Sequence, residues 1–480
     1  MRRHIHSVWR ELQSVGRAVA RAYLCYDPNR ANAVSHEASA TFERMGAWTA
    51  SARVTALDAS TRHQAKRAVL DASVSILAGL STPEGRAVLA LVERAAKPGV
   101  CFVPGTDLQA SCAYAAYGGS ALCQVHDAND GHPNGQMLGS SYHPGRVIVP
   151  AAFALAQETG LSGREFLTAV AVGYDIATGV HHAPLNAPSD AYGSAASACY
   201  AFDLDPLQTR FALRIAGFGA PKSGAQDFET NNLTCAQQSR SGIEAAELVR
   251  LGYPRSEPRS IRTREFEFVP PARLGGSLHD LYFKPYPSCR TTHYFIEAAL
   301  SLRPQVIDRL DSIKEIRLHV PASERDVAHK IGPREYFKSY QFSIAYCAVA
   351  ALVDGTFGLR QVRADRTDDP IVQGLQERVS FVLHSEEPPT WGGLGGGAIE
   401  IEMADGTLYS DTVDIALGEA QNPLSDEALA MKLVDWLGGS PEDAALLLTA
   451  VTTLDESENI DRLLTCLRTL GQQLTLSPDY

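Results

Sequence analysis

The pattern of this sequence changes twice along the chain, and those two changes constrain its fold more than any other feature. Up to about residue 268 the prominent signals are helix starts. Residues 162–165 and 241–244 read as capping boxes, and residues 205–208 place an aspartate before a proline at a first helical turn. The box at 241–244 predicts a helix that begins there and continues through Leu251. We expect the first half of the chain to be helical.

Strand patterns replace these signals in the middle of the chain. Residues 316–320 and 398–403 alternate apolar and polar side chains, and residues 380–383 are short and apolar. An Asp-Gly pair at 405–406 predicts a turn into a further strand over residues 407–413. These segments predict a smaller module that contains a sheet.

Helical signals then return. Residues 425–437 form one apolar-periodic segment, and Ser440 before Pro441 caps another that extends to Thr452. We therefore predict a mainly α protein with an α+β part, in which a large helical domain is built from both ends of the chain around an inserted lid. The boundaries are an N-terminal extension at 1–48, the first helical part at 49–268, the α+β lid domain at 269–413 and the C-terminal helical part at 414–480.

Length and charge limit the function. The 480 residues are 45% hydrophobic, which is enough for two or three domain-sized cores, and the net charge of -12 argues against a nucleic-acid partner. The nine cysteines include no Cys-x-x-Cys pair, so we expect neither a disulfide framework nor a structural zinc site. No apolar stretch is long enough to span a bilayer. We expect a protein in the cytoplasm, with no membrane partner.

The first 48 residues leave two interpretations open. The segment is rich in arginine and poor in acids, which is typical of an organellar transit peptide and allows mitochondrial import. Alternatively, an apolar stripe of Trp9, Leu12, Val15, Val19 and Leu24 docks on the body or on a partner subunit.

A polar segment between Lys284 and His293 is the strongest candidate for chemistry. Pro285 and Pro287 restrict the backbone, so the residues before Tyr294 are predicted to form a loop that leads into a packed helix. Loops on rigid scaffolds carry function disproportionately often. Cys289 reads as a small packing residue rather than a nucleophile.

A second polar concentration lies between His126 and His132 and is followed by His143. Its histidines and aspartates, Asp127 and Asp130 among them, could bind a divalent metal, or could form a hydrogen-bonded loop with one histidine facing a cleft, or could be purely structural. No helical His-x3-His pair supports the metal. We predict no metal and no cofactor, because the glycine-rich residues 392–397 lead into a strand rather than a helix and so fail the dinucleotide fingerprint.

Four motifs together resemble the MmgE/PrpD family. They are His143-Pro144-Gly145 before a helix, Gly242-Ile-Glu-Ala-Ala246, Lys284-Pro-Tyr-Pro-Ser-Cys289 with His293, and Ser343-Ile-Ala-Tyr346. The resemblance extends over about residues 50–470. It implies a large helical domain made from both chain ends, a smaller α+β lid and a homodimer, which agrees with the fold read from the sequence pattern.

The resemblance also implies roles for individual residues. The implied catalytic residues are Asp127, His143, Lys284 and Tyr346, and the implied substrate-binding residues are Asp130, Asn231, Arg290 and His293. The sequence departs from the decarboxylase branch at four places. Gly131 stands where that branch has a threonine, and residues 136–141 look inserted before the His-Pro motif. Asn231 falls where a second lysine is expected, and the histidine before Gly193 is not cleanly present. With fewer cations, we expect a substrate that has fewer carboxylates or is held differently.

The family's chemistry is proton transfer at a carbon next to a carboxylate, which needs a base and positive groups near the developing charge. Lys284 is expected to act as that base, with a pKa lowered by burial or Arg290, or to hold a carboxylate. His143 is a second proton carrier with Asp127 fixing its tautomer, and Tyr346 is a proton donor. The leading function is a cofactor-free dehydratase or decarboxylase acting on a small di- or tricarboxylate. The alternatives are an epimerase, a ligand-binding homologue without activity and a metal-dependent hydratase.

Overall fold

The structure is a computed structural model that describes residues 28–95, 99–133, 143–181, 188–221, 228–253, 266–321, 340–384 and 396–474. Its helices are α1 (Pro28–Ser51), α2 (Ala59–Leu80), α3 (Pro83–Ala95), α4 (Cys112–Gln124), α5 (Gly145–Thr159), α6 (Gly163–Thr178), α7 (Ser189–Ala201), α8 (Pro206–Gly219), α9 (Phe228–Arg250), α10 (Arg290–Val306), α11 (Ile344–Asp354), α12 (Ala364–Thr367), α13 (Pro370–Gln376), α14 (Asp426–Leu437), α15 (Pro441–Thr452) and α16 (Asp461–Leu474). Its strands are β1 (Cys101–Phe102), β2 (Gln109–Ala110), β3 (Val180–His181), β4 (Glu267–Phe268), β5 (Ile313–Pro321), β6 (Val379–His384), β7 (Gly397–Met403) and β8 (Leu408–Val413). The prediction of a mainly α protein with an α+β part is confirmed.

Several helix starts are confirmed by their caps. The side chains of Ser162 and Asp205 accept hydrogen bonds from the third helical N–H of α6 and α8, and in both cases the return bond of a capping box is present. Ser440 caps α15 in the same way before Pro441. Each cap satisfies backbone donors that the first helical turn cannot pair internally.

The helix start predicted at residues 241–244 is wrong. Those residues lie inside α9, where Arg240 pairs with Glu244 across one turn, with 2.9 Å between Nε and Oε1. A Cβ on Gly242 would lie 2.6 Å from the backbone nitrogen of Ala195 on α7. The glycine therefore permits two helices to cross closely, which a local reading of the sequence takes for a helix boundary.

The start of α10 also differs from the prediction. Residues before Tyr294 were expected to be non-helical, but the helix begins at Arg290, with Cys289 in the capping position. A proline restricts its own φ and the residue before it, so Pro287 leaves the backbone from Arg290 onward unconstrained. The loop is consequently shorter, because the helix that the sequence pattern indicates from His293 onward begins three residues earlier.

The larger sheet has the strand order β6-β5-β7-β8. Strands β5 and β6 are parallel, and the other two neighbouring pairs are antiparallel. Ile399, Ile401 and Met403 of β7 are buried alternately with less buried residues, as a sheet covered on one face requires. Helix α10 packs on this sheet, and Phe295 lies against Gly397. The strands predicted at 316–320, 380–383, 398–403 and 407–413 are confirmed.

The C-terminal helices pack against the N-terminal ones. Lys432 on α14 forms a buried ion pair with Asp71 on α2, and Asp426 of α14 accepts a hydrogen bond from Arg67. Of the boundaries proposed from the sequence, those at 268 and 413 coincide with the ends of β4 and β8, whereas the one at 48 falls within α1. Phe42 and Met45 of α1 are buried in the helical core, so this part of α1 belongs to the body.

Within the described ranges, none of the helices combines the length and the apolar character that crossing a membrane requires. The apolar and arginine-rich residues discussed for the first 27 positions lie outside the described residues, as does most of the glycine-rich segment 392–397.

Candidate active site

A backbone bridge joins the polar segment 126–132 to the chain immediately before Lys284. Gly131 and Tyr282 exchange two N–H to carbonyl hydrogen bonds of 3.0 Å. A Cβ at position 131 would lie 2.1 Å from the Tyr282 ring, so only glycine fits there. In this chain the Tyr282 ring occupies the space that a side chain at position 131 would need, which explains why a glycine stands where the decarboxylase branch has a threonine.

Gln341 ties a third segment to the same place. Its Nε2 donates to the carbonyl oxygens of His126, at 2.7 Å, and Pro287, at 2.5 Å. The backbone carbonyl of Gln341 accepts a hydrogen bond from the N–H of Cys289 at 2.9 Å. One buried amide thus fixes both loops, and nothing in the sequence pattern pointed to it.

Lys284 and Asp127 form a buried ion pair at this junction. Nζ of Lys284 lies 2.8 Å from Oδ2 of Asp127 and 2.6 Å from its backbone carbonyl oxygen. The side chain of Lys284 is 0% exposed and that of Asp127 7%. Asp127 has a φ of 50°, in the left-handed region where aspartate is one of the few tolerated side chains. The turn that holds the carboxylate is therefore a specific backbone conformation.

His143 stands beside this pair in a defined tautomer. Its Nδ1 lies 2.6 Å from the backbone carbonyl oxygen of Asp130, an atom that can only accept, so Nδ1 carries the hydrogen and Nε2 the lone pair. Burial, and then the charge of Lys284, lowers the pKa of His143 to about 3. The imidazole is accordingly neutral. The group that fixes its tautomer is the carbonyl of Asp130, where the side chain of Asp127 was expected.

Asp130 is engaged by protein donors. Its Oδ2 accepts from the Tyr174 hydroxyl at 2.5 Å, and its Oδ1 accepts from the N–H of Gly145 at 3.1 Å. Burial, and then the nearby Asp71 carboxylate, raises the pKa of Asp130 to about 7. These contacts hold the Asp130 carboxylate against the first residue of α5. They do not support the substrate-binding role predicted for Asp130.

Arg290 and His293 lie in the first turn of α10, which follows the loop that carries Lys284. Nε and Nη2 of Arg290 reach the two carboxylate oxygens of Glu419 at 2.6 and 2.8 Å, and the guanidinium stacks 4.6 Å from the centre of the Tyr282 ring. Arg290 therefore pairs with a carboxylate of the protein itself, which does not support the substrate-binding role predicted for it. Nε2 of His293 donates to the Ser288 carbonyl at 3.4 Å, and burial, then Lys284, lowers the pKa of His293 to about 3.

Tyr346 is placed differently from the prediction. It lies in the first turn of α11, and its hydroxyl donates to the backbone carbonyl of Gln361. Asp354 and Arg366 are among the charges that act on this hydroxyl, whose pKa is raised chiefly by burial. No described contact joins the hydroxyl to Lys284 or His143. The geometry therefore does not support the predicted role of Tyr346 as a proton donor.

Arg146 is a buried cation that the sequence reading missed. It follows the His-Pro-Gly motif on α5, and its Nη1 donates to Oε1 of Gln124 at 2.9 Å. Nε2 of Gln124 in turn donates to Oδ1 of Asp127 at 3.3 Å. The side chain of Asn231, another predicted binding residue, lies outside the described residues, although its position is on α9.

A search of the described ranges finds no group of three or more His, Cys, Asp and Glu residues arranged to hold a metal ion. Asp127, which the metal hypothesis required, has its carboxylate paired with Lys284. The neutral imidazole, the buried ammonium and its carboxylate partner instead form an acid–base site at the junction of the helical and α+β parts.

The chain is similar to known proteins over most of its length. Sequence models of the MmgE/PrpD N-terminal and C-terminal domains match residues 43–266 and 286–456. The cis-aconitate decarboxylase of Homo sapiens is 26% identical over 406 residues, which cover 75% of this chain and 80% of that protein. The cis-aconitate decarboxylase of Aspergillus terreus (strain NIH 2624 / FGSC A1156) is 24% identical over 469 residues, which cover 87% of this chain and 94% of that protein. The chain therefore belongs to the MmgE/PrpD family and is an enzyme of the lyase type found in that family.

Proposed function

We propose that this enzyme is a cofactor-free dehydratase or decarboxylase that acts on a small di- or tricarboxylate through Lys284, Asp127 and His143. The observation that carries the proposal is the buried Lys284–Asp127 pair beside a neutral histidine of fixed tautomer. Proton transfer next to a carboxylate requires a base and a nearby positive charge, and these residues supply both.

His143 is the proposed base. Its Nδ1–H is committed to the Asp130 carbonyl, so Nε2 is the atom that can take a proton. A pKa of about 3 makes it a weak base in the free protein. An anionic substrate would raise that pKa, because a negative charge nearby favours the imidazolium. Basicity would then develop only when substrate is bound.

Lys284 is the proposed electrophile and proton donor. In a dehydration, His143 takes a proton from carbon, the carbon–oxygen bond breaks, and the leaving hydroxide receives a proton from Lys284. In a decarboxylation, the carbon–carbon bond breaks and carbon dioxide leaves. The remaining electron pair on carbon is stabilised by the ammonium of Lys284 and then takes a proton from it. Asp127 holds the ammonium in place for either reaction, at 2.8 Å from Nζ.

The first substrate to test is cis-aconitate, because the named relatives are cis-aconitate decarboxylases. Proton NMR of the purified enzyme in deuterated water with cis-aconitate, citrate and 2-methylcitrate reports loss of water or carbon dioxide directly. We expect turnover of at least one of these acids. If none reacts, the proposed substrate class is contradicted.

Three variants assign the reaction to the site. Lys284→Met should lower the rate roughly 100- to 10,000-fold, the usual contribution of a positioned proton carrier. Lys284→Arg keeps the ion pair with Asp127 but cannot release its proton, so it should be nearly as inactive. Lys314→Met is the control, since Lys314 also pairs with a carboxylate, that of Glu402, but is 62% exposed on β5. Full activity of both Lys284 variants would overturn the assignment.

The epimerase remains the alternative, because His143 and Lys284 are two proton carriers of different kinds and epimerisation needs two. The same NMR experiment separates the cases. Deuterium incorporation into an intact carbon skeleton favours an epimerase, whereas tight binding without any exchange favours a ligand-binding homologue.

We also propose a cytoplasmic homodimer. The dimer rests on the family resemblance, and the compartment rests on the cysteine pattern. Light scattering coupled to size-exclusion chromatography tests the first, because a mass near 51.7 kDa would indicate a monomer.

A further inference from the structure

Arg146 is a buried cation whose hydrogen bonds are incompletely used. The residue is 8% exposed, near the start of α5. Within the part of the chain that the structure describes, its close hydrogen bond runs from Nη1 to Oε1 of Gln124 at 2.9 Å. Among the described residues, Nε has no acceptor, and Asp190 approaches Nη2 only to 3.8 Å. A guanidinium has five N–H donors, and leaving a charged donor unsatisfied in a buried place is costly.

Arg146 is connected to the acid–base site by a single side chain. The amide of Gln124 accepts from Arg146 and donates to Oδ1 of Asp127, whose Oδ2 pairs with Lys284. The buried groups therefore run in the order guanidinium, amide, carboxylate and ammonium. Lys284 is paired directly with Asp127, whereas the Asp190 carboxylate stays 3.8 Å from Nη2 of Arg146, and His143 beside them is neutral. Arg146 follows His143 by three residues in the chain, and its charge also lowers the pKa of His143.

This arrangement matches a ligand that has two separated negative groups. A guanidinium can hold a carboxylate through two parallel N–H bonds, a geometry that a lysine ammonium cannot reproduce. We propose that Arg146 binds a second carboxylate of the substrate while the carboxylate next to the reacting carbon lies at Lys284, which makes Arg146 the residue that selects di- and tricarboxylates over monocarboxylates. This inference rests on the proposed function for the identity of the reacting carboxylate, but the binding role of Arg146 can be tested without turnover.

The competing interpretation is that Arg146 only supports the fold. A structural arginine would affect all ligands equally when replaced, because it would act through the shape of the site. A carboxylate-binding arginine would affect only ligands that carry the second carboxylate. The selectivity of the loss is therefore the decisive measurement.

Isothermal titration calorimetry with tricarballylate, a saturated tricarboxylate, and with butyrate, a monocarboxylate of similar chain length, measures this selectivity. Arg146→Met should weaken tricarballylate binding roughly 10- to 150-fold, the range for losing charge-assisted hydrogen bonds. Butyrate binding should stay within about twofold of the wild type. Equal losses for both ligands, or unchanged tricarballylate binding, would overturn the proposal, as would a wild-type protein that does not distinguish the two acids.

Two further variants keep this test informative. Arg146→Lys retains the charge and so protects the fold if Arg146→Met is unstable, and it should still bind tricarballylate at least about fivefold more weakly because the bidentate geometry is lost. Wild-type affinity in Arg146→Lys would contradict the proposal. Arg210→Met is the matched control. Arg210, on α8, is also 8% exposed, and its Nη1 pairs with Oε1 of Glu43 on α1 at 2.8 Å. It should leave both affinities unchanged.

Failure of the proposed function would look different. If wild-type enzyme turns over none of the three acids in the NMR panel yet Arg146→Met selectively loses tricarballylate, the lyase assignment is wrong and the carboxylate site stands. If the wild type turns over cis-aconitate and Arg146→Met raises neither KM nor the tricarballylate dissociation constant, the lyase assignment stands and the role of Arg146 is wrong.

Discussion

The protonation state of His143 is set by groups on three different segments. Its own burial acts first, followed by the ammonium of Lys284, and Arg146 acts in the same direction. Asp127 and the carbonyl of Asp130 favour the charged ring but are outweighed. The result is a neutral imidazole in a site that contains two cations, which is the state in which it can accept a proton from carbon.

We predict that His143 does not titrate between about pH 5 and 8 in the free enzyme, because its pKa of about 3 lies well below that range. Nitrogen-15 NMR of the histidine rings should find a neutral ring protonated at Nδ1, with a constant chemical shift. His143→Asn identifies the signal by its disappearance. A midpoint near the ordinary value for histidine would contradict this reading of the site.

Asp130 gives a second prediction about pH. Its folded pKa of about 7 lies above the ordinary value, so it stabilises the fold at low pH and this stabilisation is lost as pH rises through 7. The hydrogen bond from Tyr174 lowers that pKa and limits the loss. Tyr174→Phe should therefore be more destabilising at pH 8 than at pH 5, by about 1–3 kcal/mol.

Urea unfolding of the wild type and Tyr174→Phe at both pH values measures the difference. Asp175, whose pKa burial also raises to about 7, is present in both proteins and cancels in the comparison. The same cost at pH 5 and pH 8 would mean that the Tyr174 hydroxyl does not act through the ionisation of Asp130.

At the scale of elements, helix α9 depends on a close crossing with α7. A Cβ at position 242 would meet both the Ala195 nitrogen and the Ser194 hydroxyl at 2.6 Å. We predict that Gly242→Ala destabilises the protein by about 1–3 kcal/mol, the usual cost of overpacking. Gly374→Ala is the matched control, because Gly374 lies in α13 with no atom within 4 Å of the added carbon.

The control should be neutral or stabilising, by up to about 1 kcal/mol, since alanine lowers the entropy of the unfolded chain. Thermal unfolding of the two variants compares them directly. A Gly242→Ala variant as stable as Gly374→Ala would show that α7 and α9 can separate at low cost.

The same glycine illustrates which parts of this structure could be predicted from the sequence. Caps act within four residues, so Ser162, Asp205 and Ser440 could be recognised locally. Gly242 could not, because the reason for it lies on another helix. The alternation in β7 predicted a strand, but nothing local revealed that β6 would pair in parallel with β5.

Some residues of the candidate site could likewise be predicted from the sequence, and others could not. Lys284 and His143 were predicted to act together because their motifs resemble a family, and both lie at the junction. Gln341 and Arg146 were missed, because their partners are distant in the sequence or lie on another helix. Gln341 contacts His126 and Pro287, which are 215 and 54 residues away, and Arg146 contacts Gln124 on α4. The hydroxyl of Tyr346 was assigned to the site, but in the structure it donates to the backbone carbonyl of Gln361, which follows the C-terminal end of α11 in the chain.

At the scale of the whole molecule, a buried ion pair connects the C-terminal helices to the site. Nζ of Lys432 on α14 lies 2.5 Å from Oδ1 of Asp71 on α2. Oδ2 of Asp71 accepts the backbone N–H of Asp130 at 2.7 Å, and the carbonyl of Asp130 holds His143. Residues from both ends of the chain therefore contribute to the position of the proposed base.

We predict that Lys432→Met destabilises the fold by about 3–5 kcal/mol, because removing one partner leaves the Asp71 carboxylate buried and unpaired. Urea unfolding measures this loss, and Lys314→Met, which breaks a largely exposed pair on β5, should cost no more than about 1 kcal/mol. The loss should also reach the site. Because Asp71 would no longer be held against the Asp130 backbone, the nitrogen-15 shifts of His143 should change in any Lys432→Met protein that remains folded. Unchanged shifts together with a large loss of stability would mean that the ion pair joins the two ends of the chain without positioning His143.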